Sequence, residues 1–297
     1  MASRNSFLRA LRVLRGETFR RAAARERGLG LLTQGLAIVA AVMMGYPLFW
    51  MLLTSFKQNP DIFHTPPRFF PTLAPTLGHF RSLLETTNYL LYLKNSVIIA
   101  LAATALAVCL AIPAAYGLTR YSFRFKRQMA WFVLLLYLFP PIMLIIPLFV
   151  LFSNVGLSNT LAGLVIAHTT FTLPFALWLL WAFFRTIPLT LEEAAWMDGA
   201  SRARAVWDVI LPLSLPGMAC VAIFTFVVSW SDYFFAFAFV TEEGIKTITL
   251  GAYALIDIEA AEWGRVLAAG VLIAFPPLLG LFFIQKYLMK GFGVPGV

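Results

Sequence analysis

Charge is scarce in this 297-residue chain. Asp, Glu, Lys and Arg make up 12% of it, about half the share usual in a soluble globular domain. Hydrophobic residues reach 60%, too much apolar surface for one water-soluble core. Cysteine is nearly absent: Cys109 and Cys220 both lie in apolar runs, where they are expected as buried small hydrophobes rather than a disulfide. Histidine is scarce, with three in all. His64, His79 and His168 stand in separate contexts, and no nucleophile–base or metal-ligand grouping accompanies them. No Gly-x-x-x-x-Gly-Lys-Ser/Thr run is present, so the chain lacks that phosphate cradle. Alternating ten-residue strands are missing too, which excludes a membrane β-barrel. No convincing internal repeat or low-complexity tract interrupts the chain.

The apolar residues are gathered into six long runs, at 31–54, 95–117, 129–152, 161–184, 218–240 and 266–285. Each is long enough to cross a hydrocarbon layer of about 30 Å. Only the fifth contains an acid, Asp232. Helices satisfy their own backbone hydrogen bonds in lipid, so these runs predict an all-α, polytopic six-helix bundle. The short 153–160 connection predicts antiparallel third and fourth helices. Prolines 140, 141, 147, 174, 276 and 277 fall within the runs. They are candidates for kinks, either to open a cavity or simply to pack.

Lys and Arg placement sets the orientation. With both termini in the cytoplasm, 17 basic residues lie inside and six outside. Those outside are Lys57, Arg68, Arg81, Lys94, Lys246 and Arg265. A net charge of +9 therefore reads as membrane orientation rather than nucleic-acid binding. The 1–30 arm carries eight arginines and places Phe7, Leu8, Leu11 and Leu14 at helical spacing. An interfacial helix on anionic lipid fits this pattern, and an Arg-rich transit peptide is the alternative. The 55–94 connection, with five prolines, is expected to be irregular or short-helical. The 241–265 connection carries Glu242, Glu243, Asp257, Glu259 and Glu262, which suit either a docked partner or a solvated loop. Residues 291–297 form the tail.

The 185–217 connection is long for a passive link and is patterned. Thr190 and Glu193 have capping-box spacing, and Ala194, Ala195, Trp196 and Met197 continue that helix. Gly199 permits a bend, and Ser201 caps a second short helix that Pro212 and Pro216 are expected to end. Small residues at Ala194, Ala195 and Gly199 suit docking into a partner's groove. An amphipathic pair resting on the membrane surface is equally consistent with the residues alone.

The spacing Glu193-Ala194-Ala195, three residues, Gly199, nine residues, then Val209-Ile210-Leu211-Pro212 resembles the conserved cytoplasmic loop of ABC-importer permeases, with Val209 replacing Ile. The longer run through Asp198 to Ser201 is similar to the maltose-type, carbohydrate-uptake branch. The resemblance covers nearly the whole spanning region. It implies that this loop is a coupling helix seated on an ATPase. Glu193 would then meet a basic group there, Ala194, Ala195 and Gly199 would pack in its cleft, Asp198 would brace the bend, and Leu211 and Pro212 would complete the motif. It also implies a second homologous permease subunit, two ATP-binding subunits and an extracytoplasmic solute-binding protein. ATP and Mg would sit on the ATPase partners, and no cofactor on this chain. The location implied is the bacterial plasma membrane.

Ionisable groups inside a membrane are costly and are functional candidates for that reason. Counted along the runs, Asp232 and His168 lie at similar depths, about 12 and about 10 Å from the outer surface. Trp230, Ser231 and Tyr233 flank Asp232, and Thr169 follows His168. Carboxylate, hydroxyls and aromatic faces suit a neutral polyhydroxy solute. Interhelical bonding by Asp232 and packing by His168 are the plainer readings. Oligosaccharide, monosaccharide, polyol and glycerol-phosphate ester all remain open as cargo. An autonomous secondary transporter would need coupling-ion groups at the midplane, for which one Asp and one His offer little.

Overall fold

A computed structural model of the chain describes residues 30–256 and 262–291, with side chains as far as Phe283. Among these residues every regular element is helical. The Arg-rich arm, Asp257, Glu259 and the 292–297 end lie outside the described residues. The chain divides into two units, Met1–Thr54 and Ser55–Val297. The first contains all but the last residue of the apolar helix α1, Gly30–Ser55.

The second unit begins with two short helices, α2 (Asn59–Ile62) and α3 (Gly78–Thr86), within the proline-rich connection. Four long elements follow: α4 (Tyr89–Arg120), the pair α5 (Lys126–Tyr137) and α6 (Pro141–Asn154), and α7 (Leu161–Thr186). Then come α8 (Leu189–Met197), α9 (Arg202–Ala205), a π-helical turn (Val206–Ile210) and α10 (Leu211–Trp230). The order closes with α11 (Phe234–Phe239), α12 (Ile248–Ala254) and α13 (Trp263–Gly291). Among the described residues five helices are long and apolar enough to cross a membrane, or six if the α5–α6 pair is one span.

Two of the expected spans are built differently. The third is bent by 94° between α5 and α6. Phe139 precedes Pro140 and Pro140 precedes Pro141, so two successive residues are steered out of the α region. The fifth does not run to Val240. Its helix ends at Trp230, residues 231–233 form a break, and α11 follows. At its other end the helix starts early. Pro212 and Pro216 do not end a short helix before the span, because α9, the π turn and α10 form one continuous 29-residue helix. Pro212 falls at the start of α10, and Ser214 Oγ donates to Ile210 O at 2.7 Å and Leu211 O at 3.2 Å. Backbone carbonyls there thus acquire a side-chain donor.

The main contact of the bundle is made by small residues. Ala100, Ala103, Ala107, Ala111 and Ala115 form a fully buried stripe along α4, which packs chiefly on α7 and α10. Small side chains at three- and four-residue spacing let helix backbones approach closely in lipid. Large apolar side chains elsewhere face outward, among them Leu101, Phe132, Ile146 and Phe282. That distribution would be unstable in water and is ordinary against acyl chains. Cys220 is buried as expected, whereas Cys109 is on the outward face of α4.

At the Tyr89 end the proline-rich connection is pinned by one carboxylate. Asp61 accepts from Thr72 Oγ1 at 2.5 Å and from the amides of Thr72 (2.9 Å) and Leu73 (3.0 Å), and Arg68 donates at 3.3 Å. These bonds, led by that of the Thr72 hydroxyl, lower its pKa to about 2. A carboxyl depressed in the folded state stabilises above its unfolded pKa of about 3.9 and loses that contribution as pH falls through about 2. The Thr72 and Leu73 amides should therefore keep their protection from hydrogen exchange from neutral pH to about 4 and lose it progressively below. Asp61→Ala should expose the same amides at neutral pH.

Candidate functional site

The 187–210 segment folds as a knob on the Arg120 end of the bundle. The expected capping box does not form. Pro188 occupies the N-cap, so α8 starts at Leu189, ahead of Thr190. The first-turn carboxylate that matters is Glu192, which the sequence reading passed over in favour of its neighbour. Glu192 is fully buried and accepts from Tyr116 Oη at 3.0 Å and from Arg120 Nε. Arg120 also donates to Ile187 O at 2.9 Å. Glu193, about 100° further round the helix, is exposed.

The end of α8 is a Schellman motif. Ala200 N donates to Ala195 O at 2.9 Å and Gly199 N to Trp196 O at 3.0 Å, closing the last carbonyls of the helix. The motif requires a left-handed residue, and Gly199 has φ +87°. Ser201 then caps the next helix as expected, accepting from Arg204 N at 3.3 Å. The Arg202 guanidinium stands 5.5 Å from both the Tyr121 and Trp196 ring centroids, a cation held between two aromatic faces. Ala194, Asp198, Gly199 and Pro212 are exposed with Glu193, while Ala195 and Leu211 are half-buried. Met197 is 88% and Trp207 72% exposed, so the knob carries apolar as well as acidic surface.

A second polar group lies toward the Tyr89 end, where α10 breaks. His168, on α7, meets Ser229 Oγ through Nδ1 at 2.6 Å and Asp232 Oδ2 through Nε2 at 3.1 Å. Asp232 is no mid-span residue. It accepts from Phe235 N at 3.4 Å and Ala236 N at 3.2 Å, and so caps α11. His168, Ser231, Asp232 and Tyr233 line one cavity of about 220 Å³, together with Pro141 and Phe171 among others. Trp230 and Thr169 are not among its lining residues. The Trp230 indole donates to Ile273 O at 2.9 Å and stacks on Phe226, and Thr169 Oγ1 donates to Val165 O.

Other polar ties, not legible from local sequence patterns, hold the segment that follows α11. Asn95 donates to the carbonyls of Gly244 and Lys246, both at 3.0 Å, and Ile248 N donates to Ser96 Oγ at 2.8 Å. Asn159, at φ 58°, accepts from the amides of Thr241 and Glu242. These bonds attach the 241–248 segment to α4 and to the α6–α7 turn. Among the described residues no group of His, Cys, Asp and Glu is arranged to hold a metal.

Comparison with known proteins agrees with this architecture. Residues 107–294 match the family model of the binding-protein-dependent transport system inner membrane component. The trehalose/maltose transport system permease protein MalG of Thermococcus litoralis is 33% identical over 258 residues, covering 86% of this chain and 92% of that one. The diacetylchitobiose uptake system permease protein NgcG of Streptomyces coelicolor is 34% identical over 269 residues, covering 90% and 88%. A solved bacterial ABC transporter involved in import of the acidic polysaccharide alginate aligns with TM-score 0.75 at 20% identity, covering 88% and 96%. That likeness concerns the fold. This chain belongs to the family of binding-protein-dependent transport system inner membrane components.

Proposed function

We propose that the chain is one membrane-spanning half of an ATP-driven sugar importer, with the α8–Gly199 knob as the seat of a separate ATPase subunit. The observation that carries this reading is the division of labour between Glu192 and Glu193. One carboxylate anchors α8 inward, while Glu193, Ala194, Asp198 and Gly199 remain presented outward on a rigidly capped turn. The Lys and Arg distribution supports a cytoplasmic knob and cytoplasmic termini. The assembly we infer has a second, homologous permease, two ATPase copies that bind ATP and Mg, and an extracytoplasmic binding protein. Relatives named for trehalose, maltose and diacetylchitobiose transport support a sugar or related polyhydroxy cargo. The cavity supports it too, with a carboxylate, hydroxyls and aromatic faces on its wall.

In operation the ATPase pair would close on the knob, turn the cavity toward the docked binding protein, and reset after hydrolysis. The test is reconstitution. The full complex in vesicles, with the cognate binding protein screened against neutral mono- and disaccharides, should take up the bound sugar only with ATP. Uptake driven by a proton or sodium gradient through this chain alone would contradict the reading.

A further inference from the structure

The knob is joined to α7 and α10 through the backbone, yet its strongest side-chain ties go to a third helix. Tyr116 and Arg120 stand one turn apart at the end of α4, and both reach the fully buried Glu192. Arg120 holds Ile187 O as well, Arg202 spans Tyr121 and Trp196, and Trp181 Nε1 donates to Leu118 O at 3.3 Å. The last turn of α4 and the residue after it are thus bound to the knob and its approach by several independent contacts.

The other end of α4 is tied to the segment that in turn holds the cavity wall. Asn95 and Ser96 hold the 244–248 segment, and Thr249 Oγ1 in turn donates to the carbonyl of Asp232. Tyr89 Oη donates to Ala269 O at 3.2 Å. Between these clamps α4 continues as one 32-residue helix through Pro113, about 48 Å long at 1.5 Å per residue. A helix tied at both ends can carry a displacement of one end to the other, and packed helices of this kind are among the elements that carry coupling between sites.

We propose that α4 is the strut carrying movement of the knob to the cavity, and that Glu192 and Arg120 are the positioning pair that fastens it. This rests on the reading that an ATPase drives the knob. Neither side chain is required to touch ATPase or sugar: Glu192 faces inward, and the outward face belongs to Glu193. Loosening the pair should leave the ATPase seated and turning over while the cavity stops responding.

The experiment uses the full complex in vesicles, with Cys109→Ala and Cys220→Ala in the permease and Ser231→Cys placed in the cavity wall. A membrane-impermeant maleimide then reports cavity access with and without ATP plus orthovanadate. Glu192→Gln, similar in shape, should keep ATPase recruitment and hydrolysis within about twofold while cutting the nucleotide-dependent change in labelling at least about fivefold. Arg120→Gln should behave alike, and Arg120→Lys, which keeps the charge, should recover most of the response. Tyr116→Phe, which removes one bond and no charge, gives a milder version should the charge variants fail to assemble. An unchanged labelling response in Glu192→Gln would overturn the proposal. So would labelling, hydrolysis and assembled complex all falling together in all four variants. A parent complex that recruits no ATPase would instead overturn the functional reading, and this proposal with it.

Discussion

Gly199→Val is expected to abolish ATPase recruitment while leaving the membrane bundle folded. No atom lies within 4 Å of a Cβ built at Gly199, so crowding is not the reason. The reason is φ +87°, which an L side chain adopts at a cost of about 1–2 kcal/mol, and a β-branched one at more. Relief means unwinding the Schellman turn and releasing the carbonyls of Ala195 and Trp196. A penalty of about 1–2 kcal/mol shifts such an equilibrium about 5- to 30-fold, and the β-branch takes valine beyond that. Co-purification should fall in the order Gly, Asn, Ala, Val, because asparagine tolerates the left-handed region. Melting of the purified permease should move little, since Gly199 is exposed and is not part of the buried clusters. A Val variant that recruits ATPase normally would remove the knob geometry from the account.

Asp232→Leu should have the largest effect on the fold itself. The carboxylate serves the amides of Phe235 and Ala236 and the His168 ring, and leucine serves none of them. Each buried polar group left unpaired costs about 1–3 kcal/mol, so the sum approaches the whole stability of an ordinary domain. The expected result is failure to accumulate folded permease, or a melting temperature lowered by many degrees. Asp232→Asn keeps one acceptor oxygen for the α11 amides and should accumulate. When Asp232 is ionised and His168 neutral, Nε2 must donate and Nδ1 must accept from Ser229. Ser229→Ala then removes only the far end of the chain and should cost least. Near-normal folding of Asp232→Leu would show that Asp232 does not hold the break.

The contrast between these residues explains how far the sequence could be read. The apolar runs marked where long helices stand, because hydropathy and the need to close backbone hydrogen bonds are local properties. Gly199 and Ser201 were legible for the same reason: turn and cap chemistry lies within a few residues. Proline was ambiguous. Pro140 and Pro141 turn the chain by 94°, whereas Pro212 and Pro216 sit inside a continuous helix with Ser214 beside them and a π turn before them. Spacing alone did not separate the two cases.

Asp232 looked like a charge within a span, but its side chain begins a new helix instead, and its partner His168 is 64 residues away. Glu192 and Glu193 are adjacent and chemically identical. Their opposite roles follow from Tyr116 and Arg120, more than 70 residues earlier, which no local pattern reveals. The alanine stripe of α4 was hidden for a related reason. In an apolar run, small residues read as hydrophobic filler until a neighbouring helix shows which face they line.

Seating of an ATPase subunit on the α8–Gly199 knob can be read out by cross-linking. A photoreactive amino acid introduced by Glu193→p-benzoylphenylalanine, in the complex purified from membranes, tests it most directly. The account predicts a covalent adduct between this chain and the ATPase subunit, lost when Gly199→Val is added. An adduct only with lipid, with the second permease or with the extracytoplasmic binding protein would contradict it.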